Sequence, residues 1–231
     1  MPIITIGGGS MSKDETLAID NEIVRLSKKA HPRLLFIPTA SEDDLKYWER
    51  VDKHFKKLGC KTDVLFLIRE NPSHEEIALK ISAADIIYVG GGNTLKMMKL
   101  WRKLEVDKML KTAWKNEKVL CGISAGSICW YEFGHSDSMS FYSPKKWDYI
   151  KVRGLGFLKG IHCPHYNGRT LGIARRASFK KMIAKSGGTG FAVDNGCAIV
   201  YEGEKMRVIG ENAYKVFRKN GRVLEEKIHE I

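Results

Sequence analysis

Hydrophobic and polar positions along the chain alternate between two kinds of segment. Short apolar runs, such as residues 3–6 and 34–37, are followed by longer stretches in which apolar residues recur every three or four positions, as between about residues 14 and 29. The short runs predict buried strands, and the longer stretches predict amphipathic helices. The sequence therefore predicts repeated strand–helix units as far as a helix over residues 171–186.

Strands joined by helices of this length require crossover connections, which are right-handed and produce parallel sheets covered on both faces. The pattern thus predicts an α/β fold: a doubly wound, mostly parallel sheet with helices on both faces. Beyond residue 186 the apolar segments become short and turn-separated, which indicates antiparallel strands at the sheet edge. They cover residues 190–193, 197–201, 205–209, 214–217 and 222–227.

Size and composition narrow the class of protein. A chain of 231 residues with 43% hydrophobic residues and no apolar run of membrane-span length suits one globular domain over residues 1–231. The start of the sequence has no basic leader, so we expect a cytoplasmic protein. Five scattered cysteines do not suit a disulfide framework. The net charge of +12 falls largely on solvated helix faces, so neither nucleic acid nor a membrane is expected as a partner.

One five-residue segment carries the strongest chemical signal. Gly122-Ile123-Ser124-Ala125-Gly126 follows a predicted strand at 119–122 and leads into a predicted helix whose start covers residues 125–131. A Gly-x-Ser-x-Gly turn between strand and helix is typical of a nucleophile elbow, whose small residues permit a sharp turn and expose the serine hydroxyl. The pattern predicts Ser124 as the nucleophile of a serine hydrolase, with the N–H of Ala125 directed into the site.

A serine nucleophile needs a base, and that base needs a partner to hold its tautomer. Of the seven histidines, His165 follows a predicted strand at 160–163, so we expect it to emerge at a strand end beside Ser124. Asp137 lies between these two residues in the chain and is the predicted partner of the imidazole. Glu132 is an alternative, although it falls within the predicted helix.

A glycine-rich turn, residues 90–94, follows another predicted strand. Its glycines would let backbone N–H groups approach a ligand, so the N–H of Gly92 is a candidate second oxyanion donor. Such turns also bind phosphates, but neither this turn nor the earlier Gly7-Gly8-Gly9 turn matches a nucleotide-binding pattern. His162, Cys163 and His165 do not have the spacing of a zinc site. We therefore expect no metal and no cofactor.

Taken together, the Ser124 elbow, the turn from Val89 to Thr94 and the Pro164-His165 pair resemble the dipeptidase E (aspartyl dipeptidase) family of serine peptidases, which includes cyanophycinases. The resemblance implies a fold like that of class I glutamine amidotransferases. It also implies hydrolysis of peptides that carry an N-terminal or β-linked aspartate. The implied roles are the nucleophile, base and orienting acid for Ser124, His165 and Asp137, and the oxyanion hole for Gly92 and Ala125.

Substrate recognition is the least determined part of the resemblance. Gly172-Ile173-Ala174-Arg175 matches a Gly-x-x-Arg pattern of the family, so Arg175 is the candidate for binding the substrate carboxylate, together with Asn93. Arg176 adjoins it, and the neighbouring segments differ in length from those of aspartyl dipeptidases. Two alternatives stay open: a sensor of an acidic metabolite, and an esterase or amidase with the same triad. We expect a small peptide substrate and a monomer or homodimer.

Overall fold

The computed structural model describes residues 1–229, which contain seven α-helices and fifteen strands. The helices are α1 (Leu17–Leu26), α2 (Leu45–Lys57), α3 (His74–Ala83), α4 (Thr94–Lys103), α5 (Val106–Lys115), α6 (Ala125–Ile128) and α7 (Arg175–Ser186). The strands are β1 (Pro2–Ile6), β2 (Arg33–Ile37), β3 (Lys61–Val64), β4 (Ile86–Val89), β5 (Val119–Ile123), β6 (Tyr131–Ser136), β7 (Ile150–Arg153), β8 (Leu158–Cys163), β9 (Arg169–Thr170), β10 (Ile173–Ala174), β11 (Thr189–Val193), β12 (Ala198–Glu202), β13 (Lys205–Ile209), β14 (Ala213–Lys219) and β15 (Arg222–Lys227).

Several helices begin where the sequence supplies a side-chain cap. Asp44 accepts a hydrogen bond from the N–H of Tyr47 at the start of α2. Ser73 and Glu76 form a reciprocal capping box at the start of α3. Such caps satisfy N–H groups that have no partner within the helix. The chain therefore turns into each of these helices at the residue that offers the acceptor.

A seven-stranded sheet forms the centre of the fold, with the order β13-β12-β1-β5-β4-β2-β3. The five strands from β1 to β3 in this order run parallel, and β12 and β13 add an antiparallel edge. Apolar residues of α1 and α2 pack on one face, and those of α3, α4 and α5 pack on the other. The predicted α/β fold class is confirmed.

A second sheet of six strands, β15-β14-β11-β8-β6-β7, was not predicted. We expected every late strand to be antiparallel and at the edge of one sheet, but β11, β14 and β15 belong to this second sheet, and β11 lies inside it, parallel to β8. Helix α7 packs against β14 and β15. The helix expected over residues 125–131 also ends early, at Ile128. Tyr131 instead begins β6, where its ring stacks on His162 at 4.6 Å. None of the helices in residues 1–229 is both long and apolar enough to span a bilayer.

Candidate active site

Ser124 occupies a strained turn between β5 and α6. Its φ of 57° and ψ of −114° lie outside the regions that L-residues ordinarily populate. The flanking glycines are required by close packing, since a Cβ at Gly122 would lie 2.3 Å from the Gly126 carbonyl oxygen. A Cβ at Gly126 would lie 2.1 Å from the Val89 carbonyl oxygen. The elbow geometry that the sequence predicts is therefore present, and the serine is partly exposed.

The glycine turn after β4 lies directly against Ser124. A Cβ at Gly91 would be 3.2 Å from Ser124 Cβ and 3.7 Å from its hydroxyl oxygen. Gly92 has a φ of 138°, and a Cβ there would collide with the Ala40 carbonyl oxygen at 2.1 Å. The N–H groups of Gly92 and Ala125 donate no hydrogen bond to any residue in the described range. Two donors are thus unpaired within this range, one next to Ser124 in the chain and one next to Gly91, and an oxyanion hole needs such free donors.

His165 lies in the loop that follows β8. The strand before it, β8, lies in the six-stranded sheet, so the expectation that it neighbours the Ser124 strand was wrong. The imidazole still comes beside β1, because a Cβ at Gly8 would lie 2.2 Å from His165 Nδ1. Since β1 pairs with β5 and the N–H of Ser124 donates to the carbonyl oxygen of Ile6, the loop after β1 lies between His165 and the end of β5 that carries Ser124. Within residues 1–229 the ring makes no hydrogen bond to the Ser124 hydroxyl.

The imidazole of His165 is held by Asn195, a contact that the sequence did not predict. His165 Nδ1 lies 2.6 Å from Asn195 Oδ1. With an amide oxygen as the acceptor, Nδ1 carries the proton and Nε2 is left free to accept one. Burial, followed by the charge of Arg175, lowers the pKa of His165, and the hydrogen bond that the ring donates to Asn195 opposes this shift. The lowered pKa favours the neutral imidazole, which is the state that a general base needs.

Asp137 and Arg175 pair with each other. The Arg175 guanidinium donates to Asp137 Oδ2, and Thr170 donates to the same oxygen at 3.0 Å. Arg175 is 3% exposed and also donates to the His135 carbonyl oxygen. These contacts differ from both predicted roles, because in the described residues the carboxylate is hydrogen bonded to Arg175 and Thr170 and not to His165, and the guanidinium has little surface left for a substrate.

Two other predicted residues also have structural partners. Glu132 lies in β6, where it accepts from the N–H of Gly160 and pairs with Lys159, so this alternative partner does not contact His165 either. Asn93 is 4% exposed, and its side chain accepts from the N–H of Lys96 at the start of α4. Asn93 therefore caps the start of α4, and its side-chain oxygen is bonded there and not to a substrate.

A buried hydrogen-bond network connects the Ser124 turn to the second sheet. The Ser127 hydroxyl lies 2.7 Å from the Ser124 carbonyl oxygen and 2.8 Å from His162 Nε2. His162 Nδ1 lies 3.0 Å from the Phe191 carbonyl oxygen, so this nitrogen carries the proton. Burial lowers the pKa of His162 to about 3. This histidine is therefore neutral and links the second sheet to the turn that carries the nucleophile.

Known peptidases resemble the chain over nearly its whole length. The model of the family described as Peptidase family S51 matches residues 3–209. The chain belongs to peptidase family S51. A Bacillus subtilis (strain 168) relative, described as the uncharacterized peptidase YgaJ, is 35% identical over 230 residues, covering 96% of this chain and 95% of the relative. The resemblance to the dipeptidase E family is thereby confirmed, and this S51 chain is a peptidase.

Two further similarities extend the comparison for this S51 peptidase. A Drosophila melanogaster protein described as a probable alpha-aspartyl dipeptidase is 22% identical over 190 residues, covering 81% of this chain and 77% of that one. The crystal structure of a peptidase from an acI-B1 Actinobacterium superposes with a TM-score of 0.74 at 17% identity, covering 99% of this chain and 95% of that chain. The second similarity confirms the fold. The single domain, the cytoplasmic location and the oligomeric state stay predictions.

The residue that sequence reasoning missed in this S51 site is Asn195. It falls in the turn between the predicted strands at 190–193 and 197–201, so its place at a strand end was the available signal. Its neighbour Asp194 is the more obvious chemical choice, and this carboxyl is buried with one oxygen unpaired in the described residues. Burial raises the pKa of Asp194. Only the loop geometry shows that the amide, and not the adjacent carboxyl, faces the imidazole.

Proposed function

We propose that this S51 peptidase hydrolyses short peptides through an acyl-enzyme intermediate on Ser124. The observation that carries the proposal is the strained serine flanked by the unpaired N–H groups of Gly92 and Ala125. Donors fixed where negative charge develops stabilise the transition state without reorganising. Residues held in such strained backbone conformations cluster at active sites.

In the first half of the reaction, the Ser124 hydroxyl attacks the scissile carbonyl carbon while His165 Nε2 takes its proton. The carbonyl oxygen becomes an oxyanion and accepts hydrogen bonds from Gly92 and Ala125. The imidazolium then protonates the leaving amine as the C–N bond breaks, which leaves an ester on the serine. The two side chains are not hydrogen bonded here, and catalytic contacts of this kind often tighten only when substrate binds.

In the second half, His165 Nε2 removes a proton from water, which attacks the ester and releases the acyl product. Asn195 keeps the second nitrogen protonated throughout, a role that the Asn of Cys-His-Asn peptidases also fills. Asp137 and Arg175 act together as a positioning pair beside the base. The Arg175 charge contributes to the lowered pKa of His165 and so favours the neutral base.

We further propose that the substrates are dipeptides with an N-terminal aspartate. Two observations support this: the Drosophila relative is described as a probable alpha-aspartyl dipeptidase, and the net charge of +12 favours encounter with acidic substrates. The preference is tested by comparing Asp-Leu with Ala-Leu and Lys-Leu. A kcat/KM for Asp-Leu no higher than for the other two would contradict the aspartate preference but leave the serine-peptidase mechanism standing.

The Ser124→Ala variant tests the mechanism. Removing the nucleophile should lower kcat for Asp-Leu by about 10³- to 10⁶-fold, because only binding and the oxyanion donors would remain. Ser143→Ala, at an exposed serine, is the matched control and should keep wild-type activity. A fluorophosphonate should add one adduct on Ser124 by peptide mass spectrometry. Undiminished hydrolysis by Ser124→Ala would refute the mechanism.

A further inference from the structure

A small cleft lies beside the nucleophile, between the loop that follows β1 and helix α2. Its volume is about 240 Å³, and its walls include Ser10, Tyr47, Arg50 and Ile123. Ile123 directly precedes Ser124, so the cleft adjoins the elbow. Pockets for drug-sized ligands occupy roughly 300–1,000 Å³. This cleft is therefore suited to one residue or one end of a short peptide.

Tyr47 connects the cleft to the nucleophile. Its hydroxyl accepts a hydrogen bond from the N–H of Gly91 at 3.4 Å, and Gly91 is the residue that packs against Ser124. The Tyr47 ring is fixed by an edge-to-face contact with Phe36, with ring centroids 5.0 Å apart. A group bound against Tyr47 would consequently lie next to the glycine turn that faces the reacting carbonyl.

Arg50 supplies the positive charge of the cleft. Its guanidinium carbon lies 5.4 Å from the centroid of the Tyr47 ring. In the described part of the chain Arg50 makes no ion pair and no side-chain hydrogen bond, whereas Arg175 is buried against Asp137. None of the residues that line the cleft carries a carboxylate. A guanidinium with free donors can bind a carboxylate through two parallel hydrogen bonds.

We propose that this cleft binds a carboxylate of the peptide substrate through Arg50. The proposal rests on the proposed peptidase function and assigns substrate recognition to α2 instead of to Arg175. The carboxylate has two sources in an aspartyl dipeptide: the aspartate side chain and the C-terminus. Both present the same planar group to the guanidinium, so the substrate must be varied to tell them apart.

The kinetic test compares Asp-Leu, Asn-Leu and Asp-Leu-amide on wild type, Arg50→Gln and Lys53→Gln. Lys53 is an exposed lysine of α2 outside the cleft, so its variant controls for the loss of one positive charge. Arg50→Gln should lower kcat/KM for Asp-Leu about 10- to 100-fold, mainly through KM, as expected for a lost charge-assisted bond. Lys53→Gln should keep the wild-type value.

The three substrates identify the source of the carboxylate. If Arg50 binds the aspartate side chain, Asn-Leu is insensitive to Arg50→Gln while Asp-Leu-amide loses as much as Asp-Leu. If it binds the C-terminus, Asp-Leu-amide is insensitive while Asn-Leu loses activity. An equal loss with all three substrates, or no loss with any, would overturn the proposal. Arg50 is exposed on a helix, so its replacement should not disturb folding.

A binding measurement separates this proposal from the catalytic one. Calorimetric titration of Asp-Leu into Ser124→Ala should give a Kd that rises about 10- to 100-fold when Arg50→Gln is added. If binding depends on Arg50 but wild type does not hydrolyse the peptide, the cleft stands and the proposed peptidase mechanism fails. If the Kd is unchanged, or if no binding is detected with either variant, the Arg50 proposal fails.

Discussion

Two buried histidines should make the stability of this peptidase fall steeply in mild acid. His135 and His162 are both 0% exposed, and burial lowers the pKa of each from 6.5 to about 3. The charge of Arg175 adds to the shift at His135. Between these two values the unfolded chain binds a proton at each histidine and the folded chain does not. The two histidines therefore leave the free energy of unfolding at its full value above about pH 6.5 and lower it as the pH falls toward 3.

The size of the effect follows from the shift. One pKa unit corresponds to about 1.4 kcal/mol, so each histidine should remove about 1.4 kcal/mol from the free energy of unfolding per pH unit below 6.5. At pH 4.5 the two together remove roughly 5 kcal/mol. Since domains are stable by only about 5–15 kcal/mol, a loss of this size consumes a large part of the total. The lowered pKa of His165 acts in the same direction.

Urea unfolding followed by circular dichroism at pH 7.5, 6.5, 5.5 and 4.5 measures this free energy. His135→Gln and His162→Gln should each reduce the dependence on pH by about 1.4 kcal/mol per unit below 6.5, whatever they do to stability at pH 7.5. His31→Gln, at an exposed histidine, is the control and should leave the slope as in wild type. A free energy that is flat between pH 6.5 and 4.5, or slopes identical in all variants, would refute the reasoning.

Two further predictions concern the site. Asn195→Asp places a carboxylate on His165, should raise its pKa, and should move the acidic limb of the kcat/KM profile to higher pH; an unmoved limb would exclude the contact. Gly92→Ala puts a Cβ 2.1 Å from the Ala40 carbonyl oxygen and should lower kcat for Asp-Leu about 100-fold or more by displacing the oxyanion donor. Gly203→Ala, also at positive φ but with open space around it, is the control, and equal kcat values would contradict the assignment.

The sequence by itself determined the parts of this protein that depend on local chemistry. The apolar patterns were sufficient for the parallel strands of the seven-stranded sheet and the helices between them, because short apolar runs suit buried strands and a period of 3.6 residues buries one face of a helix. The glycines around Ser124 were equally informative. Gly122 packs against the Gly126 carbonyl, and Gly126 packs against the Val89 carbonyl, so neither position has room for a Cβ. The two glycines in the sequence therefore predict the close packing of the turn.

Tertiary structure decided which polar side chains meet. His165 and Asn195 are 30 positions apart, and Asp137 and Arg175 are 38 apart, so their pairing depends on how the two sheets and their loops pack. The order of residues in the chain suggested that Asp137 holds the imidazole. A buried guanidinium needs a carboxylate partner more than a neutral ring does, and Asp137 pairs with Arg175. The His165 ring is instead hydrogen bonded to the side-chain amide oxygen of Asn195. Local patterns place reactive groups at strand ends, and only packing selects the partners that those groups contact.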